Sequence, residues 1–292
     1  MMHISSSLIT RFAPSPTGPL HIGNLVSAIY VWGIAKKYGG KVILRIEDHD
    51  RQRSKSEWVQ MILEDLKWLK MQPDEISIQS EHLNRFAKSS DKLIKSGKAY
   101  FCHCTRKDIL KKQPGHAQEL YYNGNCRNHH ITPNSIDGIR FIVTPENIAW
   151  KDSNLGPQTD APHQQCGDFL IKDRKGNWTY QFAVTVDDIH ENVNLIIRGE
   201  DLRDSSARQI LLAQELLPQQ QRPIYFHHPL IIDKENQKLS KRTRSTHIRE
   251  FSRKPEELLG LAAFQCGLLP KPKPLSSEEL PQLFQHINLQ HY

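Results

Sequence analysis

Two short segments, far apart in the chain, carry side chains suited to phosphate chemistry. The first is Arg11-Phe12-Ala13-Pro14-Ser15-Pro16-Thr17-Gly18-Pro19-Leu20-His21-Ile22-Gly23-Asn24, and the second is Lys238-Leu239-Ser240-Lys241-Arg242. His21 can donate a hydrogen bond to a phosphoryl oxygen as charge builds there. It stands where a strand gives way to a helix, whose N-terminus offers unpaired N–H groups and a positive dipole end. Gly18 and Gly23 leave room for close approach, and Pro14, Pro16 and Pro19 stiffen the turn. Lys238, Lys241 and Arg242 lie in a polar stretch from Asp233 to Thr246 and can swing onto a triphosphate to stabilise departing pyrophosphate. Taken singly, the first segment also suits an ordinary βα turn and the second a solvated charge run. As a pair in this order they imply binding of ATP and attack on its α-phosphate.

The elements that must position these groups alternate between strand and helix. Ser7 to Phe12 reads as a strand, and Ile22 to Tyr38 as a helix stopped by Gly39-Gly40. Lys41 to Ile46 is a second strand, and Ser54 to Leu69 an amphipathic helix. This β-α-β-α run predicts a parallel sheet with right-handed crossovers. From about Tyr100 to Trp178 the pattern breaks into clustered Cys, His, Gly and Pro with short runs such as Ile139 to Val143, which reads as an insertion. Regular alternation returns with Tyr180 to Val186 and Val193 to Arg198, then a helix from Ser205 to Leu217 and a strand from Ile224 to Phe226. The expected division is 1–99 and 179–250 as two halves of an α/β nucleotide-binding domain, 100–178 as an inserted metal-binding subdomain, and 251–292 as a short helical tail.

Within the insertion, Cys102-His103-Cys104 precedes Tyr121-Tyr122-Asn123-Gly124-Asn125-Cys126. Three cysteines and one further N, O or S ligand complete a closed tetrahedral zinc site, for which His129 or His130 is the conventional fourth donor. Reduced, buried thiols without a metal are the plainer alternative. Cys166 and Cys266 are isolated and read as packing residues.

The 292 residues suffice for one large domain or two modest ones. The net charge of +7 fits a polyanionic partner such as RNA, and equally a merely basic surface. Five cysteines, an odd number, suit a reducing compartment better than a disulfide framework. The first residues lack the basic and apolar regions of a secretory signal, and no apolar run approaches the roughly 20 residues of a membrane span. A cytoplasmic location is expected.

The two phosphate-handling segments resemble the HIGH and KMSKS motifs of class I aminoacyl-tRNA synthetases, with Asn24 in the fourth HIGH position and Leu239 and Arg242 as variants in KMSKS. Arg11 to Gly18, Arg45-Ile46-Glu47-Asp48-His49-Asp50, Val186-Asp187-Asp188 and Arg198-Gly199-Glu200-Asp201-Leu202 resemble blocks of the glutamyl/glutaminyl branch, over roughly Ser7 to Phe251. The resemblance implies a Rossmann-type catalytic domain. It assigns ATP to His21, Gly23, Asn24, Lys238 and Lys241, with His21 and Lys241 catalytic and Mg2+ accompanying ATP. It assigns glutamate to Arg11, Ser15, Glu47, Tyr180 and Arg198. Chemically, arginine forks suit a carboxylate, and an anion suits the substrate amine. The resemblance also selects Cys102, Cys104, Tyr122 and Cys126 as the zinc ligands.

Synthetases that charge glutamate tRNA carry a large anticodon-reading region after the Lys/Arg loop, whereas here only Thr243 to Tyr292 follow, opening onto the stiff run Pro270-Lys271-Pro272-Lys273-Pro274. That length allows a helix pair, not a helical anticodon cage. The design is similar to glutamyl-queuosine tRNA(Asp) synthetases. That likeness implies a monomer that transfers activated glutamate to queuosine, with the anticodon arm of tRNA(Asp) where an acceptor stem would otherwise sit. Arg242, Arg244 and Arg249 are candidates for the stem, or solvated charges. Competing readings are a catalytic part of an ordinary glutamyl- or glutaminyl-tRNA synthetase, a non-catalytic RNA-binding paralogue, and a small-molecule adenylyltransferase on the same fold.

Overall fold

The structure is a computed structural model that describes residues 7–49, 54–112, 119–129, 137–219, 221–231 and 246–289. Strand β1 (Ile9–Phe12) runs through the proline-rich turn into helix α1 (Ile22–Lys37). Nearly every residue of α1 from Ile22 to Ala35 is buried. A helix apolar on all sides must be covered on all sides, and α1 lies between a sheet and the C-terminal tail. Gly39, at φ +64°, turns the chain into β2 (Lys41–Ile46). Helix α2 (Ser56–Trp68), β3 (Glu75–Ile78) and α3 (Leu83–Lys95) follow, and β1, β2 and β3 pair in parallel in that spatial order.

The middle of the chain supplies β4 (Ala99–Cys102), α4 (Arg106–Leu110), β5 (Gly138–Phe141), β6 (Ile148–Asp152), β7 (Gly156–Asp160), α5 (Pro162–Gln165) and β8 (Leu170–Lys172). Strands β4, β5 and β8 form a small antiparallel sheet. The hairpin β6–β7 does not join it.

Tyr180 to Val186, part of the returning alternation, is the first part of helix α6 (Tyr180–His190). Its buried Phe182, Ala183 and Val186 stand at helical spacing. Strand β9 (Leu195–Gly199), helix α7 (Ser206–Leu216) and β10 (Ile224–His228) complete the alternation. Strand β10 pairs in parallel with β9 on one side and with β6, at Tyr225 opposite Asp152, on the other.

The two larger sheets meet edge to edge. Asn194, just before β9, donates its backbone N–H to Ile9 O at 3.0 Å, and its side chain accepts from Ile9 N at 2.7 Å. The combined order is β3-β2-β1-β9-β10-β6-β7. Successive strands are added outward from β1 on one side (β2, β3) and from β9 on the other (β10), and a ligand crevice opens beyond the C-terminal ends of strands at such a switch point.

The tail returns to α1. Helix α8 (Pro255–Gln265) and a 3-10 turn at Leu280–Phe284 stand where a helix pair was expected. Gly33 makes the contact possible: a Cβ there would lie 2.1 Å from the Phe284 ring. Lys37 Nζ then donates to the carbonyls of Phe284 and Gln285 at 2.9 and 3.1 Å, and to that of Ile287, which also accepts from Tyr38 OH. Among the described residues no helix is long and apolar enough to cross a membrane.

Candidate active site

A cavity of about 730 Å³ opens at the ends of β1 and β9. Arg11, Ser15, His21, Asn24, Glu47, Tyr180 and Arg198 all line it, drawn from the first strand, its turn, helix α1, the end of β2, the start of α6 and β9. Gly18 lies on its wall, and a Cβ there would meet nothing within 4 Å, so the turn stays open at that point. Gly23 plays a different part from the one expected. A Cβ on Gly23 would come within 3.0 Å of the His21 ring, so the room that glycine leaves is taken by the imidazole.

His21 is the N-cap of α1. Its Nδ1 accepts from the N–H groups of Gly23 and Asn24 at 3.1 and 3.3 Å, and Asn24 Oδ1 accepts from His21 N at 3.1 Å. Two of the helix N–H groups expected to face a phosphate are therefore capped by the histidine. Because Nδ1 is an acceptor, a neutral His21 carries its proton on Nε2. Through that Nε2–H the His21 ring can donate to a phosphoryl oxygen.

Below the cavity floor lies a buried ionic layer. Arg11 donates from Nε to Asp188 at 3.1 Å and from Nη1 to Ile197 O at 3.2 Å, bonds that fix the plane of its fork and leave Nη2 outside them. Arg45, fully buried, donates to the same Asp188 oxygen at 2.6 Å and to Glu191 at 2.8 and 2.5 Å. Burial opposes its charge, yet Asp188 and Glu191 hold Arg45 firmly protonated. Burial likewise opposes the Asp188 carboxylate, but Arg11 and Arg45 keep its pKa below the ordinary value.

Glu47 and Asp187 respond in the other direction. Burial pushes each up to about 7, more than the neighbouring arginines pull it down. Asp187 accepts from Gln79 Nε2 at 2.6 Å, and Arg85 Nε sits 2.9 Å from its other oxygen, in ionic contact but out of line for a hydrogen bond. Burial also raises the Tyr180 phenol, against the pull of Arg198.

Arg198 is held differently from the other two arginines. Its Nε donates to His227 Nε2 at 3.0 Å, Nη1 to Gln209 Oε1 at 2.7 Å, and Nη2 to Ser206 Oγ at 2.8 Å. His227 ends at Asp152 on β6, with Nδ1 2.7 Å from Oδ2. None of His227, Asp152, Arg45 and Glu191 was assigned a role from sequence. The available signals were the His227-His228-Pro229 run at a strand end just before the Lys/Arg loop, and Arg45 within the block that holds Glu47.

Lys238, Lys241, Arg242 and Arg244 lie outside the described residues. The chain just beyond them is anchored beside the cavity. Ile248 N donates to Leu20 O at 3.0 Å, and fully buried Asp65 on α2 accepts from His247 Nε2 at 2.8 Å and Arg249 Nε at 2.7 Å. The Arg249 guanidinium also covers Trp68. Of the basic candidates for an RNA stem, Arg249 is thus paired within the chain.

Residues 7–268 match the family described as tRNA synthetases class I (E and Q), catalytic domain. The chain belongs to this family. It is 36% identical over 253 residues to glutamate–tRNA ligase 2 of Ehrlichia chaffeensis, covering 85% of this chain and 54% of that protein. Glutamate–tRNA ligase of Aquifex aeolicus is 38% identical over 264 residues, covering 84% of this chain and 54% of that protein. The chain therefore spans about half the length of these relatives. Among solved structures, a glutamate tRNA ligase of Elizabethkingia meningosepticum in complex with its amino acid superposes with a TM-score of 0.80 at 26% identity, over 98% of this chain and 66% of that one.

In this synthetase catalytic domain, the sulfurs of Cys102, Cys104 and Cys126 all lie within 4.8 Å of one another. The Tyr122 hydroxyl is 3.3 Å from Cys102 Sγ and 3.5 Å from Cys104 Sγ, and Cys104 and Cys126 are 3.5 Å apart. Sulfur and oxygen donors bound to one tetrahedral zinc are separated by roughly 3.5–3.8 Å, and these three separations lie at or just below that spacing; the Tyr122 hydroxyl also accepts from Cys126 N at 2.9 Å. Gly167, at φ +63°, lets the chain cross Tyr122 so closely that a Cβ would stand 1.9 Å from the Tyr122 carbonyl oxygen. Arg140, buried, lies over the Tyr122 ring at 3.7 Å and donates to Cys102 Sγ at 3.3 Å. His129 is exposed and outside the group, and His130 is outside the described residues.

Proposed function

We propose that this chain activates glutamate with ATP and transfers it to the queuosine base at the wobble position of tRNA(Asp). The observation that carries the first half is the cavity at the sheet's switch point, with two buried arginines and a buried glutamate at its wall. Arg11 and Arg198 anchor the side-chain carboxylate with Ser15 and Tyr180, and Glu47 holds the ammonium. Selection against glutamine follows, because an amide turned towards an arginine sets donor against donor. That one solved relative is named as a complex with its amino acid agrees with a pocket of this kind.

The α-carboxylate oxygen attacks the α-phosphorus of ATP in line, forming glutamyl-adenylate as the bond to pyrophosphate breaks. His21 Nε2, held in place by the Gly23 N–H, the Asn24 side chain and the lysines Lys238 and Lys241 spread the developing charge, with ATP entering as its Mg2+ complex. A hydroxyl of the queuosine ring then attacks the glutamyl carbonyl, and AMP leaves. Cys102, Cys104, Tyr122 and Cys126 would hold a zinc ion, which braces the inserted subdomain when bound.

The queuosine acceptor follows the resemblance drawn from the sequence; the described part of the tail packs back onto α1. We assign 1–99 and 179–250 to the two halves of the catalytic domain, 100–178 to the insertion and 251–292 to the tail, in a cytoplasmic monomer. Charging of a tRNA 3′ end is the second reading, favoured by the glutamate–tRNA ligases among the relatives. The activation step is tested by ATP–pyrophosphate exchange without tRNA. Exchange that depends on glutamate and not on glutamine is expected; exchange that requires added tRNA, or none at all, contradicts it.

A further inference from the structure

We propose that His227, held by Asp152, is a positioning residue that fixes the Arg198 fork without neutralising it, and so leaves a full positive charge for an acidic substrate. This rests on the reading of the cavity as a glutamate pocket. Arg11 and Arg45 both meet the carboxylate of Asp188, whereas the three acceptors of Arg198 are an imidazole, an amide and a hydroxyl. Among the described residues no carboxylate makes an ion pair with Arg198. A cation buried on neutral acceptors retains its attraction for an incoming anion, and in a low-dielectric site that attraction is large.

The tautomer of His227 follows from its partners. Asp152 is fully buried, and its oxygens already accept from the N–H groups of Asn154 and Leu155 at 2.9 and 2.8 Å and of His227 itself at 3.1 Å. An ionised carboxylate only accepts, so the imidazole proton sits on Nδ1 and the Nε2 lone pair faces Arg198. Burial lowers the His227 pKa and Arg198 lowers it further, against Asp152, which keeps the ring neutral. The anion of Asp152 thus orients Arg198 at one remove, through a neutral ring.

The second bond is locked in the same way. Gln209 Nε2 donates to Gln181 Oε1 at 2.9 Å, and Gln181 Nε2 to Ser205 Oγ at 2.8 Å, so the Gln209 carbonyl oxygen is the end turned to Arg198. With Nε, Nη1 and Nη2 each making one bond, each terminal nitrogen retains a second N–H, the pair needed for a bidentate carboxylate. Asp152 belongs to β6, so a strand from within the insertion helps define the amino-acid pocket of the catalytic domain.

The test compares His227→Phe, His227→Gln and Gln209→Glu in glutamate-dependent ATP–pyrophosphate exchange, with KM for glutamate and ATP, the glutamate-to-glutamine preference and the Tm of each. His227→Phe should raise the KM for glutamate about tenfold, as loss of a hydrogen bond to a charged group does, with the KM for ATP unchanged. His227→Gln, which keeps a neutral acceptor, should recover most of that loss. Gln209→Glu keeps an acceptor but adds an anion, and should raise the KM for glutamate further and narrow the preference over glutamine without lowering Tm. Unchanged glutamate KM and preference in both Gln209→Glu and His227→Phe would overturn the inference, as would loss confined to kcat and Tm. Arg198→Gln separates the two levels. If it leaves the glutamate KM unchanged, the pocket reading itself falls, and the inference with it; if it raises that KM while the other variants do not, only the inference falls.

Discussion

Arg11 and Asp188, remote in sequence, meet through Nε and Oδ1 at 3.1 Å, and Arg45 reaches the same oxygen at 2.6 Å. One carboxylate on α6 therefore ties the ends of β1 and β2 beneath the cavity. Removing it leaves two buried guanidinium groups facing each other. Asp188→Asn should destabilise the fold by about 3–5 kcal/mol, read from urea unfolding at neutral pH. The Asp188 pKa is lowered in the folded state, so its contribution is present above the unfolded value and disappears as pH falls through the folded one. Wild type should consequently lose stability in acid more steeply than Asp188→Asn.

Glu47 gives the opposite sign. With its pKa raised from 4.5 to about 7, it binds a proton more tightly folded than unfolded, so folded-state stability falls as pH rises between those values. Substrate binding moves the other way, because only the ionised carboxylate holds an ammonium. The KM for glutamate should fall about tenfold from about pH 6 to pH 8. Glu47→Gln should raise that KM and flatten the profile. Asp187, also raised to about 7, shares the titration, so a profile that Glu47→Gln leaves unflattened would move the assignment to Asp187.

For the cysteine cluster, the purified protein should hold one zinc per chain by elemental analysis. Cys126→Ser should abolish it and Tyr122→Phe weaken it, while His129→Ala, altering an exposed residue outside the group, should change nothing. Zinc retained in Tyr122→Phe but lost in His129→Ala would assign the fourth ligand to the histidine.

The tail should be sensitive at Gly33. A methyl group 2.1 Å from the Phe284 ring forces the tail off α1, and Gly33→Ala should cost about 1–3 kcal/mol. Phe284→Ala, which empties a fully buried site, should cost about 3–5 kcal/mol. Both are read by thermal or urea unfolding.

Local signals carried far in this chain. The periodicity and the Gly39-Gly40 stop place α1 within a residue of its observed end, and Lys41–Ile46 is the second strand in both readings. What stayed hidden is non-local. No pattern in Ile148–Asp152 reveals that it pairs with β10, far along the chain, and hence that Asp152 reaches His227. The capping of α1 by His21 was also hidden, since histidine is not among the usual N-cap residues. The Tyr122 hydroxyl lies against Cys102 and Cys104, a placement that the residue types alone left open between Tyr122 and the neighbouring histidines.

The most direct test of the account is transfer of labelled glutamate, with ATP, to tRNA(Asp) that contains queuosine and to the same tRNA without it. Label only on the queuosine form is the predicted result. Label on neither, or label at the 3′ end of a glutamate tRNA instead, would contradict it.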